Sequence, residues 1–244
     1  MGLKSNSAIL PKALFCWSGG KDSAYCLHKV LLEKQFDVCY LLTTVNDTFK
    51  RISMHGVRET LLDKQTESIG IPCIKIRIKE GTNSEYEQLM ETTLLKAKEE
   101  GITHVIFGDI FLEDLRTYRE NNLDKVGLQA VFPLWKMDTG ILIRDFIRKK
   151  FKTILCCIND GYLDETWAGR EIDAVFIAQL PGHVDPCGEN GEYHTFCYDG
   201  PLFQKAITVS TGEKIYKPLD YSLDDVCQST VPTKGFWYCD LIPD

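Results

Sequence analysis

Phe15-Cys16-Trp17-Ser18-Gly19-Gly20-Lys21-Asp22-Ser23 passes from apolar to glycine-rich to polar within nine positions. The apolar run 13–17 predicts a buried strand, and the paired glycines predict a tight turn. A helix over 21–34 comes next, with Ala24, Leu27, His28, Val30, Leu31 and Leu32 on one face. Strand, glycine turn and helix start together make an anion site. The glycines let backbone N–H groups approach a phosphate, and the helix N-terminus adds positive potential. Lys21 adds a full charge, and the Ser18 and Ser23 hydroxyls can donate. Turning the chain requires neither a lysine nor two serines. The spacing is not that of a Walker A loop or of the G-x-G-x-x-G dinucleotide turn.

Outward from this stretch the pattern repeats. A second strand covers 38–44. A helix over 57–69 carries Val57, Thr60, Leu61 and Leu62 on its apolar face, with Gly70 as C-cap and Pro72 blocking continuation. Residues 73–78 alternate as a third strand. Ser84 is a candidate N-cap for a helix over 85–100 that ends at Gly101, and 103–107 is a fourth strand closed by Gly108-Asp109. Strand–helix units of this kind predict an α/β fold, a parallel sheet with helices on both faces. Right-handed crossovers then bring Ser18, Thr43 and Gly108 to one sheet edge, where such folds bind ligands.

Helices are expected over 113–128 and 139–150, and a strand over 153–159. Beyond it the regular alternation fades. Residues 196–198 and 206–209 are expected to pair as strands, and a tail from 219 carries turn residues and Phe236-Trp237-Tyr238. The expected division is 1–135 for an N-terminal domain and 136–244 for a smaller α+β C-terminal domain.

Composition narrows the partners. The formal net charge is −7, and a nucleic-acid binder usually shows a basic surplus. Lys75-Arg77-Lys79 alternates with Ile74, Ile76 and Ile78 and reads as one solvated strand face, so no nucleic-acid partner is expected. No apolar run nears the roughly 18 residues of a membrane span, and residues 1–12 lack the apolar core of a signal peptide. A cytoplasmic protein without a membrane partner is the expectation; a homo-oligomer is compatible with it. The ten cysteines include no C-x-x-C, so buried reduced thiols are expected rather than a zinc ribbon or redox pair.

Several groups carry chemistry. Asp22 either helps hold Mg²⁺ or stabilises its helix N-terminus. His55, after Met54, is a phosphate donor, an active-site base or neither. Gly108 allows close approach, and Asp109 is an acceptor for ribose or a metal contact, or simply part of a turn. Asp185, Cys187, Glu189, Glu192 and His194 crowd one glycine-rich loop, which suits a metal, an ammonium ion or a solvated hairpin. Arg116, Tyr118, Arg119 and Glu120 suit an anionic substrate or an ordinary charged helix face.

Ser18-Gly19-Gly20-Lys21-Asp22-Ser23 resembles the PP-loop of the ATP pyrophosphatase superfamily. With Met54-His55, Gly108-Asp109-Ile110, Arg116, Tyr118-Arg119-Glu120, Leu134-Trp135 and Cys187-Gly188-Glu189-Asn190-Gly191-Glu192-Tyr193-His194-Thr195, most of the chain resembles the diphthine–ammonia ligase family. The resemblance implies a Rossmann-like (HUP-type) sheet, ATP and Mg²⁺. It also implies adenylation of a carboxylate on a small molecule or protein, followed by displacement of AMP by ammonia. By the same resemblance Lys21, Asp22, Glu189, Glu192 and His194 are catalytic, with Asp22 on the metal. Ser18, Gly19, Gly20, Lys21, Asp22, Ser23, Thr43, Met54, His55, Gly108 and Asp109 hold the nucleotide. Arg116, Tyr118, Arg119, Glu120, Asn190, Tyr193 and Thr195 meet the substrate. One departure bears on the acceptor: Asn190 and His194 stand where diphthamide-making members carry Gly and Glu. The sequence looks like a bacterial branch with a different acceptor. The alternatives are a PP-loop tRNA-modifying enzyme and a non-catalytic ATP sensor.

Overall fold

β1 (Lys12–Cys16) is buried on both faces from Ala13 to Phe15, as a central strand must be. The computed structural model describes residues 9–79, 82–219 and 232–244. β1 leads through the glycine turn into α1 (Lys21–Glu33), then β2 (Asp37–Asn46), the short β3 (Arg51–Ile52), α2 (Glu59–Ile69) and β4 (Cys73–Ile78). α3 (Asn83–Glu99), β5 (His104–Ile106), α4 (Glu113–Val126) and β6 (Gln129–Val131) complete the first half. β1 pairs in parallel with β2 and β5, β2 with β4, and β5 with β6, while β3 pairs antiparallel with the end of β2. The expected parallel α/β sheet is present.

The two sides of the sheet separate the core. Phe15 and Ala13 join one apolar cluster with Leu27 and Val30 of α1 and Leu61 and Leu62 of α2. Leu14 joins another, with Leu94 of α3 and Leu123 of α4. The first cluster continues without a break into the second half, taking in Phe146, Leu155, Ile158 and Phe196.

That second half contains α5 (Thr139–Arg148), β7 (Lys152–Asn159), α6 (Ala174–Gln179), β8 (Tyr193–Asp199), β9 (Val209–Pro218) and β10 (Gly235–Pro243). Its four strands form an antiparallel sheet in the order β8-β7-β10-β9. Residues 196–198 and 206–209 therefore form no strand ladder, contrary to expectation, although the Ile207 N–H donates to the Tyr198 carbonyl at 2.8 Å. β8 pairs with β7, and β9 begins at Val209 and pairs with β10. α3 starts two residues earlier than expected because Thr82, not Ser84, caps it by accepting from the Glu85 N–H at 3.2 Å. Residues 220–231 of the tail expected from 219, and residues 1–8 of the polar start, lie outside the described residues.

The alternating basic strand β4 is not simply solvated. Lys75 reaches Glu59 at 2.8 Å, and Arg77 reaches Glu59 at 2.6 Å and Asp47 at 3.1 Å. Asp240 of β10 accepts from Arg51 at 2.9 Å and from Arg58 Nη2 at 2.5 Å, fastening the β3–α2 segment to the second sheet. The nine described cysteines are free thiols. Among the described residues no helix is long and apolar enough to cross a membrane.

Candidate active site

The glycine turn is held from three directions. Gly19 adopts φ +80°, which suits glycine alone, and a Cβ there would lie 2.8 Å from the Gln65 side chain. Its carbonyl accepts from Gln65 Nε2 at 2.9 Å and from the Cys197 N–H at 2.8 Å. Gln65, fully buried on α2, also donates to the Cys197 carbonyl at 2.6 Å and accepts from Trp17 Nε1 at 3.1 Å. Ser18 and Ser23 hydroxyls lie 3.0 Å apart, and Ser23 donates to the Gly20 carbonyl at 3.0 Å. Thr43 donates to the Trp17 carbonyl at 2.7 Å, locking β2 to the strand end.

Lys21 is only 2% exposed. Its ammonium donates to Asp22 Oδ2 at 2.6 Å and to the Cys187 carbonyl, and lies 5.2 Å from the centre of the Tyr193 ring. Burial works against its charge, but the Asp22 and Glu189 carboxylates help outweigh burial and hold it above its ordinary range. Its backbone N–H donates to Thr195 Oγ1 at 3.0 Å. The lysine of the turn thus joins the first helix to the acidic loop of the second half.

Within that loop the carboxylates divide their work. Glu192 is fully buried. It accepts from the N–H groups of Asp185 and Asn190, each at 2.9 Å, and from Asn190 Nδ2 at 3.0 Å. Asp185 accepts from the Cys187 and Glu189 N–H groups and from Thr139. Tyr193 donates to the Pro186 carbonyl at 2.6 Å. These groups shape the loop. Cys187 is buried against the Thr139 carbonyl, and burial pushes its thiol up, the wrong direction for a nucleophile.

Glu189 faces the glycine turn instead. One oxygen accepts from the Ile110 N–H at 2.7 Å. Burial and the nearby Asp22 carboxylate push its pKa up to about 7. His55 and His194 lie side by side at the turn, ring centres 4.8 Å apart and planes tilted by 32°. His55 Nδ1 lies 3.0 Å from the Thr195 carbonyl, which can only accept, so Nδ1 carries the proton and Nε2 keeps a lone pair. Burial lowers His55 to about 4 and His194 to about 3, with Lys21 adding to both shifts. A Cβ at Gly20 would come within 2.9 Å of His55 Cε1, so that glycine is the seat of the ring.

Gly108 sits against the start of α1, and the remaining expected residues follow it outward from the turn. Gly108 allows close packing of β5 on α1: a Cβ there would meet the Ser23 and Asp22 backbone at 3.3–3.4 Å. Asp109 pairs with Arg119 at 2.6 Å. Arg119 lies over Phe107, and Arg116 lies over both Phe132 and Trp135 while bonding Glu120 at 2.8 Å. Tyr118 donates to Glu87 at 3.3 Å, and the Met54 side chain is exposed. Gln65 was missed because it belongs to no motif, although a polar residue one turn after Leu61 on an apolar face is a signal.

Asp22 Oδ1 is a buried oxygen with no hydrogen-bond partner. It suits a hard cation such as Mg²⁺, which typically takes one or two carboxylates and completes its shell with phosphates and water. Among the described residues no three potential ligand side chains cluster around a metal position.

The description "Diphthamide synthase N-terminal domain" matches residues 11–130, and "Diphthamide synthase C-terminal domain" matches 138–224. The chain belongs to the diphthamide synthase family. It is 26% identical over 231 residues to the diphthine–ammonia ligase of Rattus norvegicus, covering 83% of this chain and 84% of that protein. It is 25% identical over 226 residues to the Homo sapiens diphthine–ammonia ligase, with the same coverage. A weaker likeness, 17% identity with a TM-score of 0.36 over 60% of each chain, is to the U34-tRNA thiolase NcsA from Methanococcus maripaludis. The family's two halves meet here at Lys21, where the glycine turn and the acidic loop share hydrogen bonds.

Proposed function

We propose that this protein is an ATP-dependent amide ligase that adenylates a carboxylate and transfers ammonia to it. The observation that carries the reading is the junction of the glycine turn with the acidic loop, which brings Lys21, Asp22 and Glu189 to one place. A carboxylate oxygen attacks the α-phosphorus of ATP, the bond from that phosphorus to the bridging oxygen breaks, and pyrophosphate leaves. Ammonia then attacks the acyl carbon, the carbon–oxygen bond to AMP breaks, and one proton passes to a base. The amide remains.

The residues support these roles. Backbone N–H groups of the turn and Lys21 oppose the charge that develops on pyrophosphate. Mg²⁺, held through Asp22 Oδ1 and the phosphates, would add further charge neutralisation. Glu189, with a pKa of about 7, is poised both to attract ammonium and to take its proton near neutral pH. The neutral imidazoles of His55 and His194 leave the charge at the turn to Lys21. His194 stands where diphthamide-making members carry Glu, which supports an acceptor other than diphthine.

The test is ATP turnover with Mg²⁺, ammonium and pools of carboxylates, resolving AMP from ADP. AMP and pyrophosphate are expected, and Lys21→Ala should abolish both. ADP and phosphate would overturn the mechanism. Tight ATP binding without AMP from any pool would favour the sensor reading.

A further inference from the structure

A cavity of about 290 Å³ opens between the β2–β3 turn and the β9–β10 pair. Phe49, Met54, Ile215 and Tyr238 give it an apolar lining. Phe49 is 67% exposed and Met54 63% exposed, so neither is committed to the core. Met54 holds φ +65°, a left-handed conformation that strains a residue with a side chain.

Charge in this cavity runs against the rest of the chain. Arg51 lines it and, together with nearby Arg58, shares the single carboxylate of Asp240. Lys217 has no carboxylate partner among the described residues; its ammonium sits 5.6 Å from the Phe49 ring centre and 5.3 Å from that of Tyr238. Two cations line the cavity, Arg51 and Lys217, against the one carboxylate of Asp240, which Arg58 from outside the lining also helps neutralise; in a chain of net charge −7 this surplus forms a local site for an anion. The aromatic rings beside Lys217 suit an anion with an apolar body.

The cavity also adjoins the glycine turn. Met54 and Gly56 line it, and His55 between them reaches Gly20 and Thr195. We propose that this cavity binds the acceptor, and that the acceptor is a dicarboxylic acid with an apolar body. One carboxylate pairs with Lys217, and the other is presented past His55 to the glycine turn. Two carboxylates are required because one held by a lysine ammonium is a poorer nucleophile and is not at the phosphates. The inference rests on the amide-ligase reading for the word acceptor, but binding can be tested without ATP.

The experiment titrates the ¹⁵N-labelled full chain, without nucleotide, with 1,4-phenylenediacetate, its half-amide and its diamide. The diacid and half-amide should bind saturably and shift the amides of Ile215, Lys217 and Tyr238, with the diamide weaker by about tenfold or more. Lys217→Gln, an exposed substitution, should weaken the diacid by about tenfold and remove the discrimination. Phe49→Ala should weaken all three compounds and leave the discrimination intact. Equal binding of diacid and diamide, indifference to Lys217→Gln, displacement of the acids by AMP from these same residues, or no saturable binding would each overturn the proposal. Absence of AMP formation in the turnover assay would leave this binding result standing, so the two readings fail separately.

Discussion

The backbone N–H of Lys21 donates to Oγ1 of Thr195 at 3.0 Å, across 174 positions of sequence. It binds the first turn of α1 to β8 at a point where neither group meets water. Thr195→Val keeps the shape and removes the acceptor. Leaving the N–H buried and unpaired should cost about 1–3 kcal/mol, read as a lower urea midpoint at unchanged slope. ATP affinity should fall with it, because the turn loses a support.

Glu189 should give the reaction its neutral-pH limb. With its pKa at about 7, the carboxylate form that attracts ammonium and accepts a proton grows in across that value. The ammonia-dependent rate should therefore rise through pH 7, and Glu189→Gln should flatten that limb and lower the rate. Stability runs the opposite way. The folded pKa lies above the unfolded value of about 4.3, so the stabilising protonated form is complete below that value and its contribution is lost as pH rises toward 7. Chemical denaturation of the wild type and Glu189→Gln at pH 4.5 and 8 reads the difference.

Gly56 is where the His55 turn packs against the second sheet. At φ +68°, a Cβ would lie 2.7 Å from Tyr238 Cδ1 and 2.9 Å from Cε1. Gly56→Ala should cost about 1–3 kcal/mol through backbone strain and overpacking. Its melting temperature should drop, whereas Gly182→Ala, at a glycine with open space around it, should leave the melting temperature near wild type.

His194→Glu tests the electrostatics of the paired rings. Neutral His194 lies 4.8 Å from His55, which titrates at about 4. A carboxylate at 194 favours the charged form of His55, so its pKa should rise. Imidazole chemical shifts followed against pH measure this directly, and a fall or no change would contradict the geometry.

The first half of the fold was legible because its signals are local. Gly19-Gly20 after an apolar strand, Gly70 at a helix end and Gly108-Asp109 after a buried strand each act within a few residues. The acidic loop was legible as a functional segment from its density of ligand-like groups. Its internal division of labour was not: Glu189 and Glu192 are three residues apart and chemically alike, and only the backbone around them turns one toward Ile110 and the other toward Asp185. The second sheet was misread because 206–209 was given to 196–198 as a partner, whereas β8 turns back onto β7, β9 pairs with β10, and only the β7–β10 pairing joins strands that are not neighbours in sequence. β7 lies between β8 and β10, and β10 separates it from β9. Arg116 and Arg119 were grouped by helical spacing, yet one stacks on aromatic rings and the other answers Asp109.

The bonds from Asp240 to Arg51 and Arg58 have a consequence for biosynthesis. The His55 turn is translated early, but the carboxylate that fastens it to the second sheet is added almost two hundred residues later, as is the Tyr238 ring that packs on Gly56. A ribosome must deliver the chain through Asp240 before that turn is secured, so the part of the site made first is the part finished last.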